Sequence, residues 1–322
     1  MNKEHYINRI NTELGNHHFD GDPEELYEPI RYILTLGGKR LRPLLTLYGC
    51  YLFSGGCDKA IIPSLGVEAF HNFTLIHDDI MDNAPLRRGK STIHTKWNEN
   101  IAILSGDTML FKAYEFLIQV DEHLVKKVIE LFNTCAIEVC EGQQYDMNFE
   151  KQGSVAEHQY INMIRLKTAV LLGFSLQLGA LIGGADDEDA ALLQKFGVNI
   201  GIGFQLKDDL LDVYGDAEKF GKQVGGDIIA NKKTYLLIKA LNTADEKQHN
   251  KLINWLAYTG EPKQKVEEVT KIYNQLGIKE HTEQKMDEYF KGAFTHLEQV
   301  NCDPDRKEEL ISFSRILIDR DH

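Results

Sequence analysis

Two short strings of acids, Asp78-Asp79-Ile80-Met81-Asp82 and Asp208-Asp209-Leu210-Leu211-Asp212, share one spacing. In a helix each residue turns about 100°, so carboxylates at i, i+1 and i+4 occupy one sector, with the outer two stacked a turn apart. Like charges about 4 Å apart repel by roughly 4 kcal/mol at an effective dielectric near 20. Two convergent helices of this kind need cations between them. No cysteine or histidine set accompanies the acids, and hard oxygen donors suit Mg2+, which keeps several waters and bridges carboxylates to phosphates. The pattern predicts a site for a diphosphate. A single acid-rich pentad is often a solvated helix face, but both flanks here are apolar, with Phe73, Leu75, Ile76, Ile80 and Met81 at the first and Phe204, Leu206, Leu210, Leu211 and Val213 at the second. Buried helix segments rarely carry three acids by accident.

An anionic substrate also calls for local cations. In Gly37-Gly38-Lys39-Arg40-Leu41-Arg42-Pro43, placing Pro43 at the first helical position crowds Lys39, Arg40 and Arg42 at an N-terminus whose dipole already favours negative charge. A bound anion would relieve that. His71 lies seven residues before Asp78, two helical turns away and on a similar face. Asn83 to Lys90 reads as a loop that brings Arg87 and Arg88 to the end of the acid-bearing helix, where guanidinium forks suit phosphate oxygens. Lys167-Thr168 interrupts an apolar face, and a buried lysine needs an acid or a phosphate as partner. The glycine-rich stretch from Phe220 to Asp227 carries Lys222 and leads to Lys232, without the spacing of a P-loop.

The elements that must hold these residues read as helices. No proline lies between Pro85 and Pro262, so the central half can be continuous helix, and no useful strand alternation appears. The first strong start is Asp22-Pro23-Glu24-Glu25, with Asp22 as cap and Pro23 at the first position, running to about Leu36 and stopping at Gly37-Gly38. A third helix starts near Pro63 and carries Glu68, His71 and the first acids. Further helices span 98–120, 121–149, 154–183, with a capping box at Ser154-Val155-Ala156-Glu157, and 186–215. Within the last, Gly197, Gly201 and Gly203 weaken helicity and point to close packing or backbone approach to a ligand, packing being the better reading. From Thr234 onward the chain is amphipathic and charged, and Asp303-Pro304 opens a final helix.

The 322 residues, 43% hydrophobic and 26% charged, are those of an ordinary globular protein, expected as a single domain over 1–322. A net charge of −13 argues against nucleic acid or an anionic membrane as principal partner. No signal-like apolar segment opens the chain, and no stretch has the roughly 18 apolar residues of a membrane span. Five cysteines without a C-x-x-C pair fit a reducing, cytoplasmic setting rather than a disulfide framework or a zinc site.

These ordered elements together resemble the trans-isoprenyl diphosphate synthases, or polyprenyl synthetases, over most of the chain. Gly37 to Pro43 is similar to the family's GGKRxRP element, the strings at Asp78 and Asp208 to its two Asp-rich motifs, and Arg87-Arg88 to its paired arginines. Lys167-Thr168, Phe204-Gln205, Gly221-Lys222 and Lys232-x-Thr234 also match its positions. The resemblance implies an all-α bundle of long antiparallel helices around a deep central cavity, usually a homodimer. It implies condensation of isopentenyl diphosphate with an allylic diphosphate. Asp78, Asp79, Asp82, Asp208, Asp209 and Asp212 would then hold three Mg2+ on the allylic diphosphate, assisted by Arg87, Lys167, Lys222 and Lys232. Isopentenyl diphosphate would take Gly38, Lys39, Arg42, His71 and Arg88, and Thr168 and Gln205 would present oxygen dipoles to the cation.

Product length by this resemblance is set above the first acids. Phe73 lies five residues before Asp78, about 7.5 Å along a helix axis, where its ring can floor a cavity. Animal-type farnesyl synthases carry aromatics at both this position and the next; Thr74 departs from them, and the lone aromatic resembles archaeal-type geranylgeranyl synthases. A C20 product is expected, with C15 as the alternative and longer chains after it. A class I terpene cyclase shares DDxxD but typically has an Asn/Ser/Glu second metal motif and lacks Lys39 and Arg42. A phosphohydrolase would need further histidine ligands, and a noncatalytic subunit would have lost its acids.

Overall fold

The computed structural model describes residues 3–17, 19–215 and 224–318. The chain enters through α1 (Lys3–Asn16), α2 (Glu24–Thr35) and α3 (Leu41–Ser54), then α4 (Ile61–Met81), which carries the first acids. A two-stranded hairpin follows, β1 (Leu86–Arg87) against β2 (Lys90–Ser91), before α5 (Ile93–Lys96), α6 (Glu99–Leu117) and α7 (Glu122–Lys151). Next, α8 (Glu157–Ile164) passes through a π-helical turn at Arg165–Ala169 into α9 (Val170–Gly183), and α10 (Asp187–Tyr214) bears the second acids. The remainder is α11 (Gly226–Ile229), α12 (Tyr235–Thr243), α13 (Glu246–Leu256), α14 (Pro262–Gln275), α15 (Ile278–Gln299) and α16 (Pro304–Ile318). The all-α expectation holds.

Several boundaries differ from the sequence reading for local reasons. Pro23, extended at φ −78°, is itself the cap of α2 rather than its first residue. α3 begins at Leu41, which puts Pro43 in the third position and makes Arg40 the cap residue, in left-handed conformation at φ 47°. Ser154 does not cap α8: the Gln159 side chain accepts the Ala156 N–H at 2.9 Å instead. Arg88 and Gly89, at φ 53° and 75°, form the two-residue turn of a hairpin, a twist that suits such short connections. Two residues per strand are too few to show alternation in sequence.

The chain groups into two compact units, neither continuous in sequence. The first comprises 1–135, 174–194 and 300–309, and the second 136–173, 195–299 and 310–322. In the first, α3 meets α9 backbone to backbone. A methyl at Gly49, Gly179 or Gly183 would collide with the carbonyls of Leu176, Thr46 and Cys50 respectively. An aromatic cluster of Phe70, Phe132, Phe174 and Tyr114 fills the core beside α4, with ring centroids 5.0–5.7 Å apart. In the second unit, α10 lies tight on the α8–α9 helix. A Cβ at Gly197 would come within 2.8 Å of the Gly173 Cα, and one at Gly201 within 2.7 Å of the Ala169 Cα. The glycines of α10 therefore serve packing. Glu157–Gly183 has the length and hydropathy of a membrane span, but 72% of its most apolar window is buried in protein.

Candidate active site

In the first unit, α4 presents Asp78 and Asp79, and Asp82 caps its C-terminus, with the Asp82 N–H still bonded to the Asp78 carbonyl at 2.9 Å. The three acids keep helical phase. Their environments differ. Asp79 is 3% exposed, and Arg87 from β1 grips it with Nε to both oxygens (2.9 and 2.8 Å) and Nη2 to Oδ1 (2.7 Å). Burial raises the Asp79 pKa while Arg87 opposes the rise. Arg87 also lies 3.8 Å from Asp78 Oδ2. The short hairpin exists in part to deliver this guanidinium.

The basic turn stands beside it. Gly37 and Gly38 take φ 75° and 150°, conformations that glycine reaches readily. The Arg88 guanidinium donates to the Gly37 carbonyl and lies 3.1 Å from where a Gly38 Cβ would sit. Gly38 and Arg88, predicted together, are therefore in contact. Arg42, in the first turn of α3, has a buried Nε with no partner among the described residues, and burial pulls its guanidinium down to about 10. His71 is held well below its usual range, first by burial and then by Arg42, Arg88, Arg87 and Arg40, so its ring is neutral at pH 7. Lys39 is exposed. Arg40 departs from the expectation of a third anion-facing cation: it is 5% exposed and its Nη1 meets Glu68 Oε1 at 2.6 Å. Phe73 sets its ring edge-on to His77 at 4.7 Å and tilts on Phe70 at 5.6 Å, and Thr74 Oγ1 donates to the His71 carbonyl.

In the second unit, α10 carries Asp208, Asp209 and Asp212 in helical register. Asp209 is 5% exposed and accepts the Tyr160 hydroxyl, with the Tyr235 N–H at 3.5 Å. Burial pushes Asp209 up to about 7 against the Tyr160 bond and the nearby Lys232 charge, and Tyr160 itself lies well above its usual value. Asp212 Oδ2 accepts the Asp227 N–H at 2.9 Å at the start of α11. Lys167 and Thr168 sit in the π-helical turn, a wide turn often found at functional positions. Lys167 Nζ reaches Asp146 Oδ2 at 2.7 Å, and Thr168 Oγ1 lies 3.4 Å from Gln205 Oε1. Lys222 falls outside the described residues.

Sequence reasoning gave no role to Tyr160, Tyr235, Asp146, Asp227 or Glu68. Tyr160 and Asp209 are 49 residues apart, and nothing in the spacing of either reveals the other. Among the described residues no three His, Cys, Asp or Glu side chains converge as a ready-made metal cluster. The donor set nonetheless fits a hard dication: each triad supplies carboxylate oxygens, the donors such an ion prefers, with its outer two acids one helical turn apart and phosphate and water to complete the shell.

The sequence profile of the polyprenyl synthetase family matches residues 23–276. A geranylgeranyl pyrophosphate synthase of Geoglobus acetivorans is 39% identical over 307 residues, covering 94% of this chain and 92% of the relative. The crystal structure of a geranylgeranyl pyrophosphate synthase superposes with a TM-score of 0.95 at 41% identity, covering all of both chains. That of the Corynebacterium glutamicum geranylgeranyl pyrophosphate synthase, complexed with isoprenyl diphosphate and magnesium, gives 0.84 at 25% identity over 99% of this chain and 97% of that one.

Proposed function

The chain belongs to the polyprenyl synthetase family, and from that premise we propose that it condenses isopentenyl diphosphate with an allylic diphosphate to give geranylgeranyl diphosphate. The observation that carries the reading is the repeated acid triad with its middle carboxylate locked, by the Arg87 guanidinium in the first and the Tyr160 hydroxyl in the second, and its outer pair one turn apart. Asp78, Asp82, Asp208 and Asp212 would hold Mg2+ for the allylic diphosphate, with Asp79 and Asp209 supporting them. When bound, Mg2+ withdraws charge from the leaving diphosphate.

The chain's own part follows. Arg87, Lys167, Lys222 and Lys232 bind the allylic diphosphate and stabilise the charge it gains as its carbon–oxygen bond breaks and the electron pair departs with it. Lys39, Arg42, His71, Arg88 and the Gly38 backbone hold isopentenyl diphosphate. Its double bond then attacks the allylic carbon, forming the new carbon–carbon bond and moving the positive charge onto the former isopentenyl unit. Thr168 Oγ1 and Gln205 Oε1 turn oxygen dipoles toward that charge. The departed diphosphate takes the proton whose loss leaves the new double bond.

Phe73 floors the cavity and stops growth at C20; a C15 product is the alternative. Incubation with Mg2+, isopentenyl diphosphate and C5, C10 or C15 primers should yield C20 from each. Release of phosphate or diphosphate without a longer prenyl chain would refute the function. Phe73→Ala should lengthen the products, and unchanged length with a lower melting temperature would remove the floor assignment.

The chain works as a cytoplasmic homodimer in this reading. Support comes from α6 and its C-cap residue, where Leu104, Phe111 and Ile118, 58%, 67% and 49% exposed, recur every seven residues as an apolar stripe suited to a two-fold partner. Five cysteines without a disulfide fit a reducing compartment. Phe111→Glu should shift the protein from dimer to monomer in light scattering; an unchanged mass would move the interface elsewhere.

A further inference from the structure

The motif residue that points the wrong way is Arg40. Its neighbours Lys39 and Arg42 belong to the basic turn, yet Arg40 turns inward at φ 47° and ψ 36°, a left-handed conformation unfavourable for a residue with a side chain. Every nitrogen of its guanidinium is used. Nη1 meets Glu68 Oε1 at 2.6 Å, Nε meets Asn11 Oδ1 at 2.9 Å, and Nη2 meets the Leu34 carbonyl at 2.9 Å. Both charged side chains of the pair are 4% exposed. The Asn72 amide donates to Glu68 Oε1 at 3.3 Å and to the Glu68 carbonyl at 2.8 Å, which fixes the carboxylate from below.

One side chain thus ties together α1 through Asn11, the last turn of α2 through Leu34, and α4 through Glu68, one turn before His71. A buried ion pair is poor evidence for net stability, since desolvation offsets its attraction; its best attested use is to fix a register. Here the register is that of a turn in which Gly37, Gly38 and Arg40 all have positive φ. Arg88 contacts the outer side of this turn at Gly37 and Gly38.

We infer that Arg40 is a positioning residue: clamped on Glu68, Asn11 and the Leu34 carbonyl, it holds the strained turn so that Lys39 and Arg42 meet the diphosphate of isopentenyl diphosphate. This rests on the preceding assignment of the turn to that substrate. Steady-state kinetics on the full chain with Mg2+ test it. Arg40→Met should raise the KM for isopentenyl diphosphate about tenfold or more, leaving kcat and the KM for the allylic primer within about twofold. Because Arg40→Met strands a buried carboxylate and can unfold the protein, the Arg40→Met/Glu68→Met double variant carries the decision. It should melt near the wild-type temperature and still show the raised KM. A double variant with wild-type KM would overturn the inference, as would Arg40→Lys with wild-type KM, since an ammonium cannot reach all three partners at once. Arg42→Ala separates the two claims: if it too leaves that KM unmoved, the substrate assignment has failed rather than the positioning role.

Discussion

Asp79 and Asp209 hold the same place in two strings of the same form, yet the first is gripped by the Arg87 guanidinium and the second by the Tyr160 hydroxyl and a backbone amide. The wider surroundings follow suit. Arg40, Arg42, Arg87 and Arg88 all act on His71 in the first unit, whereas Asp227 and Asp146 crowd the Tyr160–Asp209 contact in the second. A shared spacing therefore fixes which carboxylates stack outward, but the neighbours decide whether the middle one is charge-compensated. The first triad is built around a cation; the second relies on hydrogen bonds.

The largest expected effect separates outer acids from middle ones. Asp78→Asn and Asp208→Asn should each cost roughly 10²–10³ in kcat, the scale of losing one preorganised electrostatic group, with little change in melting temperature. Asp79→Asn should show a different signature. In the protein stripped of divalent ions by chelation, it weakens the hold on a half-buried guanidinium and should lower stability by about 2 kcal/mol in chemical denaturation. Asp209→Asn keeps an acceptor for Tyr160 while removing a charge that burial disfavours, so stability at pH 8 should stay level or rise. Equal losses for Asp79→Asn and Asp209→Asn would erase the distinction drawn between the two triads.

Much of this was legible in the sequence because it depends on local periodicity. The acid strings, the helix start at Pro304, and the packing glycines of α10 all follow from spacing and from what small residues permit. The supports were not. Arg40 reads as one more cation in a basic run, since spacing does not reveal that a left-handed residue will turn its side chain inward. Tyr160 and Glu68 look like ordinary members of helix faces, and only tertiary proximity makes them partners of Asp209 and Arg40.

The smallest expected effect probes the cation density of the first unit. His71 titrates well below the 6.5 or so of an unfolded histidine, so below about pH 6.5 the unfolded chain binds a proton that the folded one refuses. Stability should then rise with pH through that window, by at most about 1.4 kcal/mol per unit, and be lost as pH falls. His71→Gln should flatten this part of the profile in the ligand-free protein. An identical acid limb in the variant would mean that burial and the surrounding arginines do not depress this ring.

Gly142 on α7 faces the π-helical turn so closely that a Cβ would collide with the Lys167 amide nitrogen and come within 2.7 Å of the Leu166 carbonyl carbon. No substitution at this position can be absorbed by rotating a rotamer, because what stands opposite is main chain rather than a movable tip. Anyone wishing to diversify this part of the chain by library screening should leave position 142 as it is, because the opposing main chain of the π-helical turn cannot be exchanged for something smaller.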